Sequence, residues 1–369
     1  MWFIYLSLSG ALAVDLELDA HPIDSHVLTY DDVAAMPPPA NSFYGVVDVE
    51  NVVVVRPQGD ALQQGFEYVA FSDSIKSALD GRSTTYDFAM VIHTDRLPTQ
   101  FSGAAAFHLG FNNDELSGTG GYKTINPDIP VKSGLWMSSI DFWDRMGLYY
   151  SQWVFGQELG HYWLAFPEFD KGQGEGEQRD LLGRAGSHWS YFMDTTNSPV
   201  EGNKWMDNGD GSFTTDIDAT PSFSELDLYM MGLIEADDVS PFFYIDVEDN
   251  AGKSKSSSPQ HLYGSTPETV TGTKVMVTVD DVIAAEGDRY PTVGDSPSDF
   301  KILTVLVLAP TEMLTDEILS GAALRQQEWA EAWSDLTLGL SSVDFTVVDE
   351  GRSMPPLSTE PQLIPRGAW

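Results

Sequence analysis

The sequence predicts an α+β protein in which a central buried helix follows a β-rich N-terminal segment and precedes a smaller α/β unit. Residues 14–70 alternate apolar and polar side chains as strands do, and the prolines of MPPPANS exclude a helix there. Residues 145–166 are apolar on nearly every face, which predicts a buried helix that ends at Pro167. Past Asp237 the composition changes to strand-like runs and one helical segment, AALRQQEWAEAWSDL, which favours a smaller α/β unit.

The elements between these regions follow from local patterns. The segment FSDSIKSALDG (71–81) predicts a short helix, because it has a Ser or Asp cap and a Gly stop. Three apolar runs, at 86–94, 103–111 and 134–143, predict buried strands, and SELDLYMMGLI (224–234) predicts a helix or a tight apolar turn. The expected regions are therefore a signal peptide at 1–13, a β-rich segment at 14–70, a central domain at 71–240 and a C-terminal α/β subdomain at 241–369.

Composition limits the classes of partner. The 369 residues include 56 acidic and 19 basic side chains, a formal charge of −37, so nucleic acid and anionic membrane surfaces are poor partners. Hydrophobic residues make up 42%, which is enough for a folded core and argues against a disordered chain. The absence of cysteine excludes disulfides and thiolate ligands, so a zinc ion would need His, Asp, Glu or a rarer ligand.

The N-terminus predicts export. It is apolar as far as Ala13 and acidic afterwards, and Ala11-Leu12-Ala13 resembles a small-x-small cleavage site. The alternative is a buried first strand. The segment is too short to span a bilayer, and no other run is long and apolar enough for stable membrane insertion. We therefore expect a secreted or cell-envelope location.

The stretch QELGH, residues 157–161, differs by one residue from the HExxH motif of zinc peptidases. In HExxH the two histidines lie one helical turn apart on one face and hold one zinc, and the Glu takes a proton from metal-bound water. Here Glu158 and His161 occupy the base and second-ligand positions, and Gln157 occupies the first, where its carbonyl oxygen would be a weak ligand. Two alternatives stay open: a carboxylate-bridged E-x-x-H site and an ordinary core helix.

Three later segments extend the pattern: GRAGSHWSYFMD, EGNKWMDNGDGSFTT and SELDLYMMGL. Together with QELGHYWLAF they resemble a group of exported bacterial proteins of the zincin (HExxH-like) metallopeptidase type, and the resemblance runs from about Phe88 to Phe243. It implies that residues 71–240 form a zincin-like domain around the central helix. The order helix, strand, strand, strand and buried helix agrees with this expectation, although many other folds share that order.

The resemblance also implies roles for individual residues. Glu158 would be the general base, His161 and His188 would be metal ligands with Gln157 in the place of the third, and Tyr229 would stabilise the oxyanion. Met231 would form the floor beneath the metal, and Asp194 would ligate or orient His188, or simply cap a turn. His188 also has the alternative of a structural histidine.

The chain departs from the metzincin pattern, because Leu164 and Pro167 stand where a Gly and a third His would be. Glu175, Glu177 and Asp180 are carboxylates that would serve as a third ligand, or they form a solvated acidic loop. His108, in the second predicted strand, would line a substrate cleft or be a core or edge histidine.

The segment DNGDGSFTTDID would hold calcium through Asp207, Asp210 and Asp216, because oxygen ligands at near-alternate spacing suit that ion. A Gly-rich hairpin turn is the alternative. Two functions therefore remain open from the sequence. The first is an exported peptidase that hydrolyses peptide or protein substrates with a zinc-activated water. The second is a catalytically inactive binding or surface protein of the same fold that has lost the first zinc ligand.

Overall fold

The computed structural model describes residues 43–49, 51–57, 68–94, 105–112, 128–172, 176–263, 266–309 and 312–348. The expected signal peptide at 1–13 lies outside the described residues. The described α-helices are α1 (Tyr68–Leu79), α2 (Ile140–Met146), α3 (Leu148–Gly160), α4 (Glu225–Met230), α5 (Gln260–Tyr263), α6 (Val279–Glu286) and α7 (Asp316–Leu336).

The strands form two sheets. The strands are β1 (Phe43–Val49), β2 (Val52–Pro57), β3 (Phe88–His93), β4 (Phe107–Gly110), β5 (Ser133–Ser139), β6 (Trp189–Asp194), β7 (Glu201–Asn203), β8 (Trp205–Asp207), β9 (Ser212–Thr215), β10 (Phe242–Asp249), β11 (Thr269–Val277), β12 (Asp299–Val307) and β13 (Ser342–Asp344). These helices and strands confirm the mixed α+β class that the sequence predicts.

The first sheet has the order β1-β2-β12-β3-β5-β4, and β13 pairs with the start of β12. Its centre is parallel, whereas β1 and β4 at its two edges are antiparallel to their neighbours. The central strand β3 is buried along its whole length, as expected for a parallel strand that is covered on both faces.

Helices cover both faces of this sheet. On one face α1 packs through Phe71 and Ile75 against the side chains of β2, β3 and β12 that point to that side. On the other face α3 and α7 pack together, with Phe155 and Trp329 in the larger core. Alternate residues of each strand point to opposite faces of the sheet. The same strands therefore contribute side chains both to the core beneath α1 and to the core beneath α3 and α7.

The second sheet has the order β7-β6-β10-β11-β9-β8 and is antiparallel except for the pair β6 and β7. Its first two strands follow α3 in the chain and lie at one edge of the sheet. They carry residues of the candidate site described below.

Two predicted elements differ from those observed. The expected helix at 145–166 is interrupted at Gly147, whose φ of 88° lies outside helical values, and α3 ends at Gly160 rather than at Pro167. The expected strand at 134–143 ends at Ser139, because the Ser139 side chain accepts a hydrogen bond from the Phe142 N–H and caps α2.

The expected region limits at 70 and 240 do not coincide with a division between the sheets. Strands from 14–70, from 71–240 and from 241–369 lie side by side in the first sheet, as β2, β3 and β12. Among the described residues, none of the helices has the length and apolar character needed to cross a bilayer.

Candidate functional site

The second half of α3 is enclosed by neighbouring side chains. A Cβ on Gly156 would lie 2.5 Å from a methyl of Leu336 and 3.3 Å from the ring of Pro199, and one on Gly160 would lie 3.1 Å from the ring of Phe223. Other elements therefore approach α3 closely at both glycines, which explains why residues of low helix propensity stand there.

The end of α3 places Glu158 in the last turn and His161 at the C-cap. The backbone N–H of His161 donates to the Gln157 carbonyl oxygen at 3.0 Å. All three side chains are buried. The helix therefore carries titratable groups into the interior, which requires partners for them from elsewhere in the chain.

The loop that follows α3 returns to it at residues 183–188. The Gly183 N–H donates to the His188 carbonyl oxygen at 2.8 Å, and a Cβ on Gly183 would meet the carbonyl oxygens of Lys255 and Trp189 at 2.5 and 2.8 Å. Only glycine fits at this position. The loop brings the His188 ring to 4.7 Å from the ring of His161, with the two planes at 87°.

Arg184, on the same loop, lies between the side chains of His188 and Glu201. The Arg184 guanidinium donates to Oε1 of Glu201, and its Nη2 lies 3.2 Å from Nε2 of His188. Nδ1 of His188 lies 3.0 Å from the Arg184 carbonyl oxygen, so Nδ1 is assigned the proton and Nε2 accepts from the guanidinium. Gln157 Nε2 donates to Oε1 of Glu201 at 3.3 Å. We call Gln157, Glu158, His161, Arg184, His188 and Glu201 the Arg184 cluster.

The backbone has positive φ values at or next to both residues of the Arg184–Glu201 ion pair. Ala185, next to Arg184, has a φ of 55°, and Glu201 has a φ of 82°. Residues other than glycine rarely adopt such values, and they persist where the surrounding structure fixes them. The surrounding structure therefore fixes the Arg184 and Glu201 side chains in place, although the local backbone conformation is unfavourable.

Burial sets the protonation of the two carboxyl groups. It raises the pKa of Glu158 to about 8, with the Arg184 guanidinium lowering that pKa and the Glu201 carboxylate raising it. Burial also raises the pKa of Glu201, while Arg184 and Gln157 lower it through charge and hydrogen bonding. Burial therefore favours the protonated form of Glu158 near neutral pH.

The two imidazoles are neutral. The pKa of His161 is lowered to about 3, mainly by burial and to a lesser extent by the nearby His108 and Arg184 side chains. Burial, followed by Arg184 and His161, lowers the pKa of His188 well below its usual range. Neutral imidazole is the form that binds a metal or accepts a hydrogen bond.

His108 extends the cluster to the edge of the first sheet. It lies on β4, and its ring is 6.4 Å from that of His161. Its Nε2 atom is buried, with no hydrogen-bond partner among the described residues, and burial lowers its pKa to about 3. A third neutral imidazole therefore faces the end of α3 from the antiparallel edge strand.

The donor set contains the residue types of a catalytic zinc site, but two of these side chains already bond to Arg184. Such sites use three protein ligands, for example two His and one Glu, which His161, His188 and Glu201 would match in kind. However, the Arg184 guanidinium engages both His188 Nε2 and Glu201, and the Gln157 amide also donates to Glu201. Within the described part of the chain, no group of three or more His, Asp or Glu side chains is arranged to hold a metal ion. In this arrangement the residues do not fit zinc.

The other residues implied by the resemblance lie apart from these contacts. The pKa of Tyr229 is raised by burial, and the groups that modify this shift are Asp288, Arg289 and Glu235. Met231 caps the end of α4 within the large core. The oxyanion role of Tyr229 and the floor role of Met231 stay predictions.

Asp194 lies at the end of β6 and has protein partners of its own. Its Oδ1 accepts from the backbone N–H of Trp205 at 2.9 Å, and its Oδ2 pairs with Lys204 at 3.1 Å. These contacts connect β6 to the following hairpin. They favour the turn or capping role of Asp194 that the sequence left open.

The acidic loop after α3 is only partly described. Glu175 lies outside the described residues, Glu177 is exposed, and Asp180 forms an ion pair with Lys255. A solvated acidic loop describes the latter two better than a ligand role.

The segment expected to bind calcium forms the β8–β9 hairpin. Oδ1 of Asp207 accepts from the Gly209 N–H at 2.9 Å, and Oδ1 of Asp210 accepts from the Ser212 N–H and hydroxyl at 3.0 and 2.6 Å. Asp216 makes a similar contact to the Asp218 N–H at 3.1 Å. These are turn-stabilising bonds, and calcium binding stays a prediction.

The remaining described histidines have packing roles. His93 stacks on Trp136 at 5.8 Å, with planes 16° apart, and its Nδ1 lies 2.9 Å from the Thr94 carbonyl oxygen. His261 packs edge-on against Trp153 at 6.2 Å, and neither of its buried ring nitrogens has a hydrogen-bond partner among the described residues. Burial lowers the pKa of His261 to about 4.

This shift gives a pH dependence with a definite sign. Between pH 4 and 6.5 the folded state keeps His261 neutral and the unfolded state binds a proton, so the contribution of His261 to stability should rise with pH across that window. His108 contributes in the same direction. The variant His261→Phe should therefore make the slope of stability against pH less positive than in the parent. Urea denaturation of both proteins at pH 4.5, 5.5 and 6.5 measures it, and equal slopes would contradict the assignment.

Sequence reasoning missed Arg184 and Glu201. Both lie in segments quoted for other residues, GRAGSH and EGNKW. One signal was present, because each is a lone charged side chain among small and apolar residues close to a positive-φ turn. Their pairing is not readable from the sequence, because 17 residues and a strand separate them.

Comparisons of the chain with protein-family models, with curated proteins and with solved structures found no match.

Proposed function

We propose that the chain is an extracytoplasmic zincin-type protein that binds polypeptide beside the Arg184 cluster without hydrolysing it. One observation carries the non-hydrolytic part. The Arg184 guanidinium engages His188 Nε2 and one carboxylate oxygen of Glu201, two of the groups that a zinc ion would need.

The arrangement of elements supports the zincin-type part of the proposal. In chain order α1, β3, β4 and β5 precede α3, with the short helix α2 between β5 and α3, and α3 carries Glu158 near its buried end with His161 as its C-cap. The extracytoplasmic location rests on the sequence of residues 1–13 alone.

The edge strand supports polypeptide as the ligand. β4 is the last strand of the first sheet in the described part of the chain, and His108 on it lies beside His161. An edge strand offers backbone N–H and C=O groups to an extended peptide. The negative charge of the chain favours basic segments among such ligands.

A second candidate is a zinc-dependent peptidase with Glu158 as the general base. The two neutral imidazoles of His161 and His188, with the nearby Glu201 carboxylate, favour it by residue type. It requires Arg184 to leave its present partners.

Metal content separates the two candidates. Protein purified without chelator should hold far less than one zinc per chain by mass spectrometry, and the variants His161→Ala and His188→Ala should not differ from it. The protein should bind a labelled, unstructured basic peptide in fluorescence anisotropy and leave it intact. About one zinc per chain that both variants lose, with hydrolysis that Glu158→Gln abolishes, would instead establish the peptidase.

Two controls accompany this measurement. A known zinc peptidase treated in the same way shows that the preparation does not strip metal. Far-UV circular dichroism shows that the histidine variants are folded. Absence of both peptide binding and hydrolysis would contradict the proposed function.

A further inference from the structure

The Arg184 cluster contains one cationic side chain among two carboxyl groups and two imidazoles. The charge of Arg184 acts on Glu158, His161, His188 and Glu201, and no other Arg or Lys of the described residues does. Its side chain is about one-fifth exposed, whereas that of Glu201 is almost completely buried. The guanidinium therefore reaches into the cluster from its surface.

The contacts of Arg184 are those that a bound cation would make. The guanidinium lies against the Nε2 lone pair of His188 and one carboxylate oxygen of Glu201. The opposite ring nitrogen of His188 is held by the Arg184 carbonyl oxygen, and a carbonyl contact of this kind orients a metal-binding histidine. The ring centroids of His161 and His188 lie 4.7 Å apart, which is close enough for the two imidazoles to share one ion.

From this geometry we infer that Arg184 is a built-in replacement for a metal ion, and that a neutral residue in its place opens a divalent-cation site formed by His161, His188 and Glu201. The inference rests on the non-hydrolytic function proposed above. It explains how the buried carboxylate of Glu201 is neutralised without a metal. It also explains the positive φ values at Ala185 and Glu201, which hold the two partners in contact.

The test compares Arg184→Gln, which removes the charge and keeps much of the length, with Arg184→Lys, which keeps the charge. Zinc binding to the full-length proteins is measured by isothermal titration calorimetry after dialysis against chelator and then buffer. Arg184→Gln should bind one zinc at least about 100-fold more tightly than the parent, since the competing cation is gone. Arg184→Lys should stay close to the parent.

Double variants that combine Arg184→Gln with the loss of a histidine identify the side chains that form the site. Adding His161→Ala or His188→Ala to Arg184→Gln should abolish the gain, and cobalt in place of zinc should give the visible absorption of a four-coordinate ion only in Arg184→Gln. A gain that survives His188→Ala, or no gain in folded Arg184→Gln, would overturn the inference. If Arg184→Gln unfolds, recovery of its circular dichroism on adding zinc supports the inference, and failure to recover contradicts it. Tight zinc binding by the parent protein would instead overturn the proposed function.

Discussion

Replacing Asp227 with alanine should destabilise the fold by about 3–5 kcal/mol, because several buried donors lose their acceptor at once. The Asp227 carboxylate accepts from Trp189 Nε1 at 2.7 Å and from the Ser198 hydroxyl at 2.8 Å. It also accepts from the backbone N–H and the hydroxyl of Ser224, both at 2.8 Å. These bonds join α4 to β6 and to the loop before Glu201.

Urea denaturation followed by far-UV circular dichroism measures this loss. Asp227→Asn keeps one acceptor oxygen and should lose clearly less stability than Asp227→Ala. Asp237→Ala is the matched control, because that side chain is exposed, and its effect should stay within about 0.5 kcal/mol. A loss below about 1 kcal/mol in Asp227→Ala would show that water or a neighbour satisfies the orphaned donors.

Trp329→Ala should cost about 3–5 kcal/mol of unfolding free energy, the range for removing a large aromatic side chain from a core. Trp329 is fully buried, stacks on Phe155 of α3 at 5.4 Å, and meets Trp143 edge-on at 6.3 Å. Its indole N–H donates to the Ser151 hydroxyl at 2.9 Å. The substitution therefore removes the main aromatic contact that holds α3 against α7.

Leu324→Ala, on the same helix, provides the comparison for this prediction. The Leu324 side chain is 47% exposed, so its loss should change stability by no more than about 0.5 kcal/mol. The loss of unfolding free energy in Trp329→Phe should lie between those of Leu324→Ala and Trp329→Ala, because a ring remains but the Ser151 hydroxyl loses its donor. Equal stability of Trp329→Ala and the parent in urea would contradict the packing described.

The sequence predicted those features that local patterns determine. The apolar run around residues 148–160 indicated a buried helix because all its faces are covered, and α3 lies there. The family resemblance, rather than a local pattern, implied that His161 and His188 lie together, and their ring centroids are 4.7 Å apart. Gly147 and Ser139 shifted element limits, since a single φ value or side-chain cap decides such limits.

Features that depend on distant pairing could not be predicted in the same way. The pattern of β12 shows a buried strand but not its neighbours, which are β2 and β3 from the first quarter of the chain. The ion pair of Arg184 and Glu201 depends on a loop, a strand and two unusual φ values acting together. No local rule joins these residues, so the content of the site was only partly predictable.

The central position of β12 has a consequence for biosynthesis. β2 and β3 lie on either side of this strand, and β12 ends only at Val307. At a synthesis rate of about 5–20 residues per second, these two strands wait on the order of 10–50 s for the segment that joins them. During that time both expose unpaired backbone edges that invite association with other chains. The nascent protein therefore needs either protection by a chaperone or delayed folding, and a chain that crosses a membrane before folding would meet the second requirement.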